Sequence, residues 1–380
     1  MELAQLPDLS EDSPQQPSNA FPESLIRSTG TSMTMQTENP RPVLVISDAK
    51  WGDFQNVLAL GTEIANKIGA PVQVIDLHAR ASILSSPLNV ALRVAQNRGF
   101  IRSKNVRNVV QFLFFRGNVP VHVCPVAVVS TLGRGEAQGA FVGSFWQVPA
   151  IHLGRLKRMR QEFFSAVIAH AGDESAPSEF SLPIAPTRMA SLSRNGRAAS
   201  GAIARVCLLL GGNAGDVIEY PPTFWVRCLD VAAVTASFHR ANVSVITSPR
   251  TGRDVEQLID EAAGENPEMI DRLILFGQGS QQDIGPEIAA ADLIFVTAES
   301  ISMMSDALAS GARVVAVYNG QMPTSSRVQS FLRQHTEQKT LHLLNLSEWD
   351  GTVPPLEDIK PSEVSWPELL WRDVSPLFEG

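Results

Sequence analysis

The chain is poor in residues that cross-link a fold or bind metal. Its three cysteines, Cys124, Cys207 and Cys228, are an odd number with no C-x-x-C spacing. That excludes a disulfide framework and a cysteine zinc site, and it fits a reducing compartment. The seven histidines show no metal-ligand spacing and no D-x-D triplet occurs, so neither a metal nor a resident cofactor is expected. G-x-S-x-G, G-x-G-x-x-G and G-x-x-x-x-G-K-[ST] are missing as well, which argues against a serine hydrolase, a dinucleotide fingerprint and a P-loop. No apolar run reaches membrane-spanning length; the nearest, 109–132, is broken by Arg116, Asn118, Pro120, His122 and Pro125. The N-terminus has neither a basic start nor an apolar stretch, so a cytoplasmic protein is expected.

Acids are missing locally. Residues 77–135 contain seven arginines and Lys104 but no Asp or Glu, and Arg155, Lys157, Arg158 and Arg160 follow. The ends compensate: 1–42 carry six acids against Arg27 and Arg41, and 346–380 carry eight against Lys360 and Arg372, within a net charge of −8. A basic run of this kind is either a solvated face or a surface attracted to anions, such as a membrane. Nothing in it calls for nucleic acid.

What is present is an ordinary globular balance, with 44% hydrophobic and 18% charged residues over 380 positions, enough apolar material for two cores. Residues 1–42 read as a disordered acidic tail. From 43 to 171, short apolar runs (43–47, 72–77, 126–130, 148–153, 164–170) read as strands and 54–68, 87–96 and 106–115 as helices on apolar spacing. Residues 172–201 shift to Ser, Pro, Ala, Arg and Gly and read as a linker. The alternation then restarts over 202–345: strands 206–210, 243–247, 273–276, 293–297 and 313–317, with helices about 223–240, 253–263, 285–291, 301–310 and 325–334. The acidic segment 346–380 is expected to pack back on the first domain. Continuous apolar strands alternating with amphipathic helices predict α/β architecture, two tandem doubly wound Rossmann-like domains facing a cleft.

In such sheets ligands sit beyond the strand carboxyl ends, so the loops there carry the candidate chemistry. In 47–55, Asp53 is either a helix N-cap or a general base. Gly211, Gly212 and Asn213 follow the first strand of the second domain, where glycines let backbone N–H groups approach a phosphate, though a tight turn demands glycine too. After the next strand, Arg250 could reach a diphosphate bidentately or be a surface arginine, and Thr251 could cap a helix. The most informative segment is 296–311. Ser300 or Ser302 could cap the helix and leave its N–H groups for phosphate oxygens, and Asp306 could accept from a ribose diol. Gly311 would end that helix.

The residues Asp306-Ala307-x-x-x-Gly311 with upstream serines resemble the nucleotide-sugar site of GT-B glycosyltransferases. More closely, Ala289-x-Ala291-Asp292 followed by 296–307, with Gly52-Asp53-x-Gln55, Leu210-Gly211-Gly212 and Ser248-Pro249-Arg250-Thr251, looks like the elongated-mitochondria (mitochondrial fission) protein family over roughly residues 43–370. Departures are Glu299-Ser300 for Asp-Ser, Asp306 for Glu, 131–135 for a Gly-Arg-Arg-Thr loop, and Pro186-Thr187-Arg188 where a histidine is usual. The resemblance implies a metal-independent GT-B-like glycosyltransferase that takes a nucleotide-sugar donor and a cell-envelope glycan or lipid-linked acceptor. The donor would meet Gly211, Gly212, Asn213, Arg250, Thr251, Ser300, Ser302, Ser305 and Asp306. Asp53 would be the base, and Gln55, Arg134, Lys157 and Arg158 the acceptor or membrane side. The enzyme would then work peripherally on the inner face of a membrane. A catalytically silent membrane-associated scaffold is the alternative, and a nicotinamide-dependent reductase comes third.

Overall fold

The structure, a computed structural model, describes residues 41–379 except 47–50, 76, 80–84, 117–123, 132–134, 170, 174–179, 193–201, 214–218, 266–267, 269, 280–282, 322–324 and 364. The expected tail, loop residues 47–50, Arg134 and most of the turn after Asn213 lie outside the described residues.

Two six-stranded sheets, every pairing parallel, form the frame. The first contains β1 (Val43–Ile46), β2 (Val72–Ile75), β5 (Ala127–Thr131), β6 (Ala150–Leu153), β7 (Ala166–Ala169) and β8 (Phe180–Ser181), in the order β2-β1-β5-β6-β7-β8. The second contains β9 (Arg205–Leu210), β10 (Asn242–Thr247), β11 (Ile270–Ile274), β12 (Leu293–Thr297), β13 (Arg313–Tyr318) and β14 (Leu341–Asn345), in the order β11-β10-β9-β12-β13-β14. A short antiparallel ribbon, β3 (His78–Ala79) with β4 (Phe115–Arg116), stands apart.

Side chains of a strand alternate between faces, and the cores follow that period. Leu44, Ile46 and Val128 point to one core, with α2 (Ser85–Asn97), α3 (Lys104–Phe114) and α4 (Gly135–Trp146). Val206, Leu208 and Phe295 point to another, with α6 (Pro222–His239) and α7 (Arg253–Gly264). Between them, the largest core is shared. Val43, Val45 and Val129 of the first sheet and Cys207, Leu209 and Val296 of the second belong to it, with α1 (Trp51–Ile68), α5 (Met189–Leu192), α8 (Gly285–Ala290), α9 (Ile301–Ala309), α10 (Ser326–Glu337) and α11 (Trp366–Val374). Burial drives the Cys207 thiol well above the ordinary range, so it packs as a small apolar group.

Three expectations change. Helix α1 starts at Trp51, so Asp53 is inside its first turn and is not the N-cap. Helix α4 was not foreseen: it is buried all round, so it lacks a polar face, and it carries three glycines. A Cβ on Gly139 would stand 2.4 Å from the Ser130 hydroxyl and one on Gly143 2.5 Å from the Ala150 Cβ, so the glycines let the helix lie directly on the sheet. Third, 172–201 is more than a linker, because Phe180–Ser181 extends the first sheet and Met189–Leu192 is helical. The acidic C-terminal segment yields α11, whose Trp366, Leu370 and Val374 are buried in the shared core and which touches α1.

Candidate functional site

In the second sheet the strand order reverses between β9 and β12, which opens a crevice beyond their carboxyl ends. Three loops meet there. After β9 come Gly211 and Gly212, both buried; after β10 comes the turn 248–252; after β12 come Glu299 and Ser300, both buried, and the start of α9.

Glu299 is the hub. Its carboxylate accepts from the Gly212 N–H at 3.1 Å, the Thr297 hydroxyl at 3.1 Å and the Tyr220 hydroxyl at 3.2 Å, and it lies 3.7 Å from the Arg250 guanidinium. Burial raises the Glu299 pKa, opposed by backbone hydrogen bonds, Arg250 and Thr297. Burial, then the neighbouring Glu299, drives the Tyr220 phenol far upward, so Tyr220 is a fixed donor. Tyr220 stacks on Phe224 with centroids 4.0 Å apart. Sequence reasoning missed both residues as a site, because no local spacing joins position 220 to 299.

The glycines behave differently from expectation. A Cβ on Gly211 would stand 1.7 Å from a Glu299 carboxylate oxygen, and one on Gly212 would stand 2.0 Å from the Arg250 carbonyl. Close packing therefore explains them. Their N–H groups are also taken, Gly211 donating to Thr297 at 2.8 Å and Gly212 to Glu299. Thr251 does not cap α7, whose N-cap is Gly252. Its buried hydroxyl donates to the carbonyls of Leu210, at 3.1 Å, and Gly211. Asn213 is exposed and accepts from the Tyr220 N–H at 3.0 Å.

Residues 182–362 match the sequence model of the mitochondrial fission ELM1 family. No curated protein matches the chain in sequence. Among solved structures it is similar to E. coli ADP-heptose LPS heptosyltransferase II, with 14% identity, 89% of this chain and 98% of that one covered, and a TM-score of 0.39. It is similar to E. coli heptosyltransferase WaaC with ADP-2-deoxy-2-fluoro heptose, with 11% identity, 88% and 99% covered, and a TM-score of 0.40. A third is the Streptomyces sp. SF2575 glycosyltransferase SsfS6 complexed with thymidine diphosphate, with 10% identity, 89% and 96% covered, and a TM-score of 0.42.

Within the ELM1-matching segment, α9 does two jobs. Its N-terminus opens at the crevice, with Ser300 at the N-cap position and no side-chain cap bond. Ser302 donates to Asn56 of α1 at 3.2 Å, tying the two sheets' helices together. One turn on, Ser305 is fully buried and accepts from the Ala185 N–H at 2.9 Å, while Asp306 accepts from the Thr187 hydroxyl. Those two residues were expected to face the donor; here they hold the crossing segment 185–187, which also takes the Trp366 indole N–H on the Thr187 carbonyl at 3.3 Å. His335 donates from Nε2 to the Pro183 carbonyl at 3.1 Å, and burial lowers its pKa. Gly311 has φ +74 directly after the α9 C-cap, as expected of a left-handed helix end. Of the first-sheet candidates, Gln55 is half-buried on α1 and Lys157 and Arg158 are exposed; the Asp53 and Arg134 side chains lie outside the described residues.

Burial lifts the Asp306 pKa to about 6, against the opposing effects of Thr187 and Arg188. A carboxyl whose folded pKa exceeds its unfolded value, here 3.8, favours the protonated form when folded. Its contribution therefore falls as pH rises from about 4 to about 6 and is flat above. Urea titrations across that window should show the decline in the native chain, and Asp306→Asn should make it shallower, leaving the part due to Glu299, whose pKa burial also raises.

Proposed function

We propose that the chain transfers a sugar from a nucleoside diphosphate to an acceptor hydroxyl, without a metal, at the switch point of its second sheet. The observation that carries this reading is the meeting of Arg250, 46% exposed in its side chain, with the uncapped N-terminus of a nine-residue helix beyond β12. A guanidinium and helix N–H groups suit a diphosphate, and they stabilise the charge that develops on it as it leaves. Asn213 and Ser302 flank the diphosphate, and Asp306 reaches the ribose only if Thr187 yields. In the reaction the anomeric carbon breaks its bond to the diphosphate oxygen and gains one to the acceptor oxygen. The acceptor proton passes to Asp53, at the start of α1. Since α1 touches α9 through Asn56, the acceptor enters from that side, past Gln55, as an envelope glycan or a lipid-linked sugar.

One observation favours a second reading, a scaffold without catalysis. The N–H groups of Gly211 and Gly212 are engaged by Thr297 and Glu299 and do not face a ligand.

Thermal unfolding with millimolar UDP, GDP, ADP or CMP separates the two. At a hundredfold excess over the dissociation constant, a ligand of the folded state adds about 2.7 kcal/mol, and at least one nucleotide should raise the melting temperature. Arg250→Ala should then weaken that nucleotide by about 1.5–3 kcal/mol. No shift with any of the four would leave the scaffold.

A further inference from the structure

Of the eleven large apolar side chains that are exposed among the described residues, six lie between positions 90 and 113. They are Val90 and Val94 of α2, Phe100 in the turn that follows, and Val109, Phe112 and Leu113 of α3; Phe112 is 72% exposed and Val90 62%. Leu88 and Leu92 of α2 and Val110 of α3 enter one core. The helices therefore turn their other faces outward from that core, and on those faces the apolar side chains stand among exposed Arg93, Gln96, Asn97, Lys104, Asn105 and Asn108.

Cations surround them. Arg98, between the helices, and Lys104, the first residue of α3, are exposed. The exposed run Arg155, Lys157 and Arg158 is fastened beside α2, since Asn89 donates to the Arg158 carbonyl at 2.9 Å and accepts from the Arg160 N–H at 3.3 Å. The single acid of residues 77–160 is Glu136, 2% exposed, and it is spent inside; the next, Glu162, pairs with Arg93 at 3.2 Å and Arg160 at 4.0 Å, which leaves Arg98, Lys104, Arg155, Lys157 and Arg158 as the cations of this face. Glu136 accepts the N–H groups of Lys157 and Arg158 at 2.9 Å and of Met159 at 3.2 Å, which shapes the basic loop without neutralising its outer face.

We propose that α2, α3 and the loop 155–160 form one docking face for an anionic phospholipid bilayer, the apolar side chains entering the headgroup boundary and the cations meeting phosphates. Apolar surface with interleaved Lys and Arg is the chemistry of an element that lies in that boundary. A second copy fits poorly, because two such faces would set like charges against each other. The charge pattern alone accounts for attraction; the six apolar side chains add insertion. These residues are separate from Arg250 and α9, so this proposal and the sugar-transfer reading stand or fall apart.

Co-sedimentation with vesicles of phosphatidylcholine containing 30% phosphatidylglycerol, against phosphatidylcholine alone, tests it on the full chain. The native chain should sediment with the anionic vesicles and hardly with the neutral ones. Lys157→Glu with Arg158→Glu should lower partitioning roughly thirtyfold, and Phe112→Ser with Leu113→Ser about tenfold with the preference for anionic lipid kept. Unchanged melting temperature and nucleotide response in each variant show that the fold is intact. Equal binding to neutral vesicles, or binding unaffected by the apolar pair, overturns the proposal. So does a failure to bind either vesicle, and a concentration-dependent dimer abolished by Phe112→Ser with Leu113→Ser would then assign the face to self-association.

Discussion

Trp366→Ala is expected to cost about 3–5 kcal/mol, the range for deleting a large buried aromatic ring. Trp366 is 2% exposed, packs in the core common to both sheets and donates its indole N–H to the Thr187 carbonyl. Its loss would leave a cavity beneath α11 and a crossing segment still held by Ser305, Asp306 and His335. Trp366→Phe keeps most of the volume and forfeits the hydrogen bond, so it should cost nearer 1 kcal/mol. Equilibrium urea unfolding of the three proteins checks the order. A small loss in Trp366→Ala would mean that α11 contributes little to the core.

Glu299→Ala should be comparably severe, about 3–5 kcal/mol, for a different reason. The substitution strands a buried N–H and two buried hydroxyls, from Gly212, Thr297 and Tyr220, and leaves Arg250 without its carboxylate. Glu299→Gln still offers an oxygen to the Gly212 N–H and should cost clearly less. Measured by urea titration at pH 7, equal losses for Ala and Gln would locate the whole effect in the charge. If Glu299→Ala folded stably, it should instead free the Gly212 N–H and strengthen nucleotide binding.

The sheets were legible because strands buried on both faces must be written as unbroken apolar runs. Residues 293–297 match β12 at both ends, and 206–210 misses β9 by one. Helix α4 escaped because burial on every side erases the polar face on which helix periodicity depends, and β11 begins three residues early, in the polar stretch Ile270-Asp271-Arg272. The switch-point loops were legible as loops with small and charged residues. What could not be read was which partner each side chain takes. Ser305 and Asp306 carry the spacing of a ligand site, yet the topology brings residues 185–187 against them. Glu299 sits next to Ser300 in a stretch that drew notice, but its role depends on Tyr220, 79 positions away. Contacts of that length are made by the crossing of the chain and leave no trace in local pattern.

The return of α11 to α1 bears on how the molecule is made. Synthesis delivers the first sheet long before the second, and an early half ordinarily folds as soon as it emerges. Here the flank of α1 that α11 touches stays open to water until residues 366–374 leave the ribosome. A nascent chain halted near position 360 would therefore carry its exposed lesion at the far end from the break, on a helix translated some 300 residues earlier.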